Sequence, residues 1–309
     1  MELLREHEMA SSNVRVGTVE MSAAMIISGT IGWLVVVSGQ SAFNVVFFRC
    51  LFGAAALFAV CLWRGLIRRN MLSARVTLLV LVGGAAIVLN WVLLFAAYPR
   101  ASISVATTVY NTQPFMLIAL GALVFREKIT GATLVWLALS FAGLVLVVEH
   151  PPAVLMLQGK YLEGIALAVG AAFLYTIASL IAKGLKGTSP HVIALLQVTL
   201  GVVLLAPFTD FHALPVNASQ WGSLVTLGLV HTCLMYVLLY GAIQKLPTAM
   251  TGALSFIYPV VAIVVDHFAL GQHLAWSQLA GAALILLAAA GVNQGWTLAL
   301  LRPRTGKPG

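Results

Sequence analysis

The chain has 309 residues, of which 61% are hydrophobic and only 8% charged, and apolar stretches of about 20 residues recur along its whole length. That composition excludes a soluble globular domain and predicts an all-α integral membrane protein. The net charge of +8 points to no nucleic-acid partner, because the basic residues sort by side of a bilayer instead of clustering as one patch.

Residues 1–16 read as a polar cytoplasmic tail. The first apolar run, 21–37, is followed by Ser-Gly-Gln-Ser-Ala and has the look of a cleaved signal peptide. Its counterpart later in the chain argues otherwise: residues 21–49 correspond to 168–197 once one residue is inserted, with Ser41 near Ser189 and Gly53 near Gly201. Further spans are predicted at 42–63, 76–98, 101–124 and 131–148, completing a first five-helix repeat over 17–148. Residues 149–161 form an outer linker whose Pro151-Pro152 pair discourages a continuous helix. A second five-helix repeat over 162–300 has spans at 162–183, 190–208, 219–243, 248–268 and 275–299, and a basic tail occupies 301–309.

Residues 93–148 run in register with 238–293 at a constant offset of 145. Pro114 falls on Pro259, Arg100 on Lys245 and Ile118 on Ile263. Two similar halves with five spans each must lie upside down to one another, the arrangement through which many secondary transporters alternate access. Of the 17 basic residues, 14 fall on the side shared by the two termini, Arg100 and Lys160 fall opposite, and Arg49 lies within a span. Both termini are therefore expected in the cytoplasm.

The matched Pro114 and Pro259 each remove one backbone donor halfway along a span, freeing the Tyr110 and Ser255 carbonyls toward a cavity or kinking a packed helix. A matched discontinuity in both halves marks a midplane site. Polar and aromatic groups gather at similar depth: Tyr110, Asn111 and Gln113 on the fourth span, Ser255 and Tyr258 on the ninth, Tyr175 and Ser179 on the sixth, Asn90 and Trp91 on the third, and His231 on the eighth. Amides and hydroxyls suit a carboxylate, carbonyls an ammonium and aromatic faces an apolar side chain, so a zwitterion fits; bonding between helices accounts for the same residues singly. His231 suits either a proton link or a neutral ring bonded to a hydroxyl. Arg49 is expected to pair with helix carbonyls or to snorkel outward, with attraction of an anion as the other reading. Asp266-His267 lies near the outer interface, where solvation is expected. Cys50, Cys61 and Cys233 read as small packing residues. Asn217-Ala218-Ser219 is a glycosylation sequon by pattern alone. Small residues on the last helix of each half (Ala138, Ala142, Gly143; Ala280–Ala283) suit close packing within the bundle or a homodimer face.

Three segments carry a family resemblance: Asn90-Trp91-Val-Leu-Leu-Phe-Ala-Ala-Tyr98, the run Ala101-Ser-Ile-Ser-Val-Ala-Thr-Thr-Val-Tyr-Asn-Thr-Gln-Pro114, and the helix end Arg126-Glu127-Lys128-Ile129-Thr130. Through them residues 18–300 resemble the drug/metabolite transporter superfamily in its EamA-type ten-helix branch, and most closely the exporters of aromatic and other neutral amino acids. The second half departs from the pattern, with Gly271-Gln272-His273 where the first has Arg126-Glu127-Lys128. The resemblance implies export of amino acids across the bacterial inner membrane, with no cofactor and the lipid bilayer as the main partner. An exporter of another metabolite or drug, with or without proton coupling, shares most of these features. An intramembrane enzyme is disfavoured by the absence of clustered acids or histidines, and no phosphate-binding Gly-Lys-Ser/Thr loop is present. No carboxylate lies near the middle of any predicted span, which favours a neutral or zwitterionic substrate over a lipophilic cation.

Overall fold

Long apolar runs leave the backbone no partner but itself in a bilayer, so each folds as a helix. The computed structural model describes residues 2–67, 73–101, 103–147, 159–270 and 275–296, and among these the chain is all-α. Nine helices are long and apolar enough to cross a membrane: Ser12–Ser38, Ala42–Trp63, Ala74–Ala101, Val105–Phe125, Gly159–Gly184, Pro190–Phe208, Ala218–Lys245, Thr248–Ala269 and Trp276–Asn293. A shorter apolar helix, Gly131–Leu146, stands in fifth place. The ten expected spans are thus all present. Several boundaries differ from expectation, among them the tenth helix, which ends at Asn293 and not at 299. The N-terminal tail is not a separate coil, since one helix runs from Glu2 to Ser28, and the sixth helix already begins at Gly159. The rest of the linker, the Gly271-Gln272-His273 segment and the C-terminal tail lie outside the described residues.

The packing follows the duplication. The third span packs along the sixth and the first along the eighth, while second meets seventh, fourth meets ninth and fifth meets tenth. Each contact maps onto itself or onto its mate when the two halves are exchanged, as a pseudo-two-fold axis requires. Trp63 and Trp276 stand 87% exposed at opposite ends of the bundle, where indoles favour the membrane interface.

Four places interrupt the helices. The first span turns at Gly29-Thr30, the fourth is broken between Ile103–Tyr110 and Gln113–Phe125, and the ninth between Thr248–Ser255 and Ile257–Leu270. In the eighth, residues Leu229–Leu234 widen into a π-helix. Pro114 and Pro259 explain the matched pair of breaks: each lies in the first turn of a new helical segment, where a missing N–H leaves nothing unpaired. The first-span turn and the π-segment have no equivalents in the sixth and third helices.

Of the small-residue stripes, Gly143 and Gly281 are buried between the fifth and tenth spans, while Ala138, Ala142, Ala280 and Ala283 are exposed on the outside of the bundle. Gly143 of the fifth span faces the tenth so closely that a Cβ there would stand 2.7 Å from the Gly281 carbonyl oxygen and 2.9 Å from Ile285 Cγ1. Because backbone blocks relief, Gly143→Leu is expected to destabilise the protein by about 1–3 kcal/mol through overpacking. Thermal unfolding in detergent measures this, and an unchanged melting temperature would show that the two helices part freely. Asn217 of the sequon caps the eighth span, its side chain accepting from Gln220 N at 2.9 Å.

Candidate functional site

The interruptions converge on one cavity between the halves, whose empty space, counting the open solvent at its mouth, is about 590 Å³. The fourth-span break sets Tyr110, Asn111 and Gln113 in its wall, and the ninth-span break sets Ser255 and Tyr258 there. Asn111 Nδ2 donates to the Thr107 carbonyl at 2.7 Å and Ser255 Oγ to the Thr251 carbonyl at 2.8 Å. Both side-chain oxygens are left as acceptors. Gln113 is 4% exposed, and its Oε1 has no hydrogen-bond partner among the described residues.

The opposite wall is aromatic. Trp91 and Tyr236 are mates under the offset of 145, and they touch: the indole N–H donates to the Tyr236 hydroxyl at 2.8 Å with the rings edge to face at 5.2 Å. Tyr110 and Tyr175 meet edge to face at 5.9 Å. The guanidinium carbon of Arg49 lies 4.0 Å from the centre of the Trp91 ring, inside cation–π range. Arg49 Nε donates to Thr232 Oγ1 and Nη2 to the His231 carbonyl, each at 3.1 Å. Both acceptors belong to the π-segment, where the widened turn displaces the backbone ladder.

Of the ten residues expected at the site, seven line the cavity: Trp91, Tyr110, Asn111, Gln113, Tyr175, Ser255 and Tyr258. Asn90, Ser179 and His231 are buried beside it without lining it. Asn90 Nδ2 donates to the Ala171 carbonyl at 2.7 Å, tying the third span to the sixth. The His231 ring stands 2.6 Å from the Thr30 hydroxyl through Nε2 and 3.2 Å from the Thr226 carbonyl through Nδ1. A single polar residue in an apolar helix signals burial without saying whether its partner is another helix or a cavity, and here Asn90 and His231 bond neighbouring helices. Arg49 takes the carbonyl-pairing alternative and is 1% exposed, so it does not snorkel. The side chain of Asp266 lies outside the described residues. Tyr236, the mate of Trp91 and a position where the two halves differ in residue type, lines the cavity as expected of such a mismatch, and Tyr98, Met25, Ser28 and Met235 line it as well. The methionines and Ser28 carry no distinguishing signal.

At one end of the bundle, charges cross-link the helices. Arg126 ends the fourth span in the left-handed conformation, φ 54°, and turns Glu127 under the N-terminus of the ninth. Glu127 Oε2 accepts from the Thr248 backbone N–H at 3.0 Å and from the Thr248 hydroxyl, while Oε1 lies 3.0 Å from Lys183 Nζ at the end of the sixth span. Lys183 also donates to the Leu246 carbonyl at 2.6 Å. Partial burial opposes ionisation of Glu127, but hydrogen bonds from Thr248 and Lys183 outweigh it and hold the carboxyl below its ordinary pKa. Nearby, Lys245 Nζ bridges to Glu20 at 2.5 Å. Among the described residues no cluster of His, Cys, Asp or Glu could hold a metal.

Residues 17–149 and 162–294 each match the family described as EamA-like transporters, and the two matches are separated by the same 145 residues. A Bacillus subtilis (strain 168) protein named as an uncharacterized transporter is 31% identical over 267 residues, covering 85% of this chain and 84% of its own length. A Salmonella typhimurium (strain LT2) protein named as a probable amino-acid metabolite efflux pump is 29% identical over 196 residues, or 59% of this chain and 64% of that protein. A solved crystal structure superposes with a TM-score of 0.74 over 90% of this chain and 96% of its own, at 19% identity, a likeness of fold.

Proposed function

The chain belongs to the EamA-like transporter family, a multi-pass membrane transporter, and from that premise we propose that it exports amino acids, aromatic and other neutral or hydrophobic ones, across the bacterial inner membrane. Both termini face the cytoplasm in this reading, and access alternates around the central cavity. The observation that carries it is the cavity wall itself. Tyr110, Tyr175 and Trp91 offer aromatic faces, Gln113 and Ser255 offer acceptors, and Arg49 supplies a fixed positive charge, all at the junction of two broken helices. An ammonium, a carboxylate and an apolar side chain would each find a partner there. The outward direction takes support from the relatives named as efflux pumps in Salmonella typhimurium and Escherichia coli.

Counterflow into liposomes tests the substrate class. Labelled phenylalanine, methionine, leucine or threonine is expected to exchange against the unlabelled compound inside; failure of all four in vesicles holding folded protein would reassign the cavity to another metabolite or drug. Alanine at Tyr110, Asn111 or Tyr258 is expected to reduce exchange by roughly tenfold, the effect of losing about 1.4 kcal/mol of binding, with melting temperature near wild type. Parallel loss of folding would instead make these residues packing elements.

A further inference from the structure

We propose that Arg49 is the carboxylate-binding residue of the cavity, so that the site selects organic carboxylates with an apolar or aromatic body and rejects the corresponding amides. The inference deepens the amino-acid reading and rests on it only for the ammonium half of the ligand.

Charge balance is the first ground. Arg49 is buried at the cavity wall, and the described carboxylates that form ion pairs are engaged elsewhere: Glu20 with Lys245, Glu127 with Lys183 and Glu163 with Arg100. Asp210 accepts from the backbone N–H groups of His212 and Ala213 in its own loop. Among the described residues the guanidinium therefore meets only neutral groups. A buried cation without a counter-charge is costly, and an ionisable group inside a membrane protein is a functional-site hypothesis by default.

Donor accounting is the second. Nε and Nη2 are held by Thr232 and the His231 carbonyl, which take up two of the five N–H donors of a guanidinium. Trp91 covers one face of the guanidinium. Arginine is thus held as a planar fork with donor capacity left over at a cavity, the geometry in which it recognises carboxylates.

The duplication supplies a third, independent ground. Ser41 pairs with Ser189 and Gly53 with Gly201 at an offset of 148, which puts Gln197 at the position equivalent to Arg49. Gln197 is equally buried, and its Oε1 accepts from the Tyr240 hydroxyl at 2.5 Å. The same place in the fold is filled by a neutral side chain in the other half, so packing of these helices does not require the charge.

The test compares ligand-induced thermal stabilisation of the purified protein by phenylacetate, phenylacetamide and phenylalanine. Phenylacetate and phenylalanine are expected to raise the melting temperature, with phenylacetamide at least tenfold weaker. In Arg49→Gln the preference for acid over amide should vanish, and in Arg49→Lys, which keeps the charge but not the fork, it should fall without vanishing. The wild-type comparison and the lysine variant carry the test even if the glutamine variant fails to fold. Equal response to acid and amide in wild type, no response to phenylacetate, or an undiminished preference in a folded Arg49 variant would each overturn the proposal. A response to phenylacetate with none to phenylalanine upholds Arg49 and removes the amino-acid reading, so the two fail separately.

Discussion

Glu127→Ala is expected to be among the most destabilising single changes in the protein, lowering thermal stability by about 3 kcal/mol, the lower end of the range for breaking a buried ion pair. Lys183, whose side chain is only 6% exposed, would be left charged, and the Thr248 backbone N–H and hydroxyl would lose their acceptor. The lower end applies because Glu127 itself keeps 26% of its side-chain surface exposed. Removing the charge from both partners, as in Glu127→Gln with Lys183→Met, should restore a good part of the loss, since the stranded cation is what costs most. Melting curves of the two single variants and the double variant measure the coupling, and strict additivity would show that the pair does not interact. The same cluster sets an acid dependence. Because the folded pKa of Glu127 lies below its unfolded value, its contribution is complete above the ordinary glutamate pKa of about 4.3 and disappears as pH falls through the lower folded value. Wild type should therefore lose more stability between pH 5 and pH 3 than Glu127→Gln does.

Trp91→Ala is expected to abolish counterflow and to cost about 3–5 kcal/mol of stability, as deletion of a large buried aromatic does. The indole is 5% exposed and makes three kinds of contact: it donates to Tyr236, packs edge to face on the same ring, and lies against the Arg49 guanidinium. Trp91→Phe keeps a ring under Arg49 but removes the donor, and Tyr236→Phe removes the acceptor; each should cost about 1 kcal/mol. Both together should cost little more than one alone. A Trp91→Ala protein that exchanges substrate at the wild-type rate would place the route elsewhere.

The fold was legible because its determinants are local. Span length and the 145-residue register depend on composition along the chain, and Pro114 and Pro259 announce their breaks by chemistry that acts over four residues. The site was legible where those same features reach it, which is why the residues flanking the prolines line the cavity. What could not be read depends on which neighbour a helix face meets. Asn90 and Trp91 are adjacent in sequence and both buried, yet one bonds the sixth span and the other faces the cavity. His231 draws attention as a titratable group at depth, but its ring joins Thr30, at a turn in the first span that no proline marks. The π-segment is likewise invisible, since Leu229–Leu234 has no composition that separates it from an ordinary helix.

The pairing of spans across the two halves bears on what can move. The five span pairs described above each join a helix of the first half to one of the second, so the repeats interlock. A rigid swing of one repeat against the other would act on all five of these pairs at once. The joints at Gly29-Thr30, Asn111-Thr112 and Phe256 are discontinuities inside single spans. The duplicated halves form one interlocked frame, and its breaks lie within helices and not between the repeats.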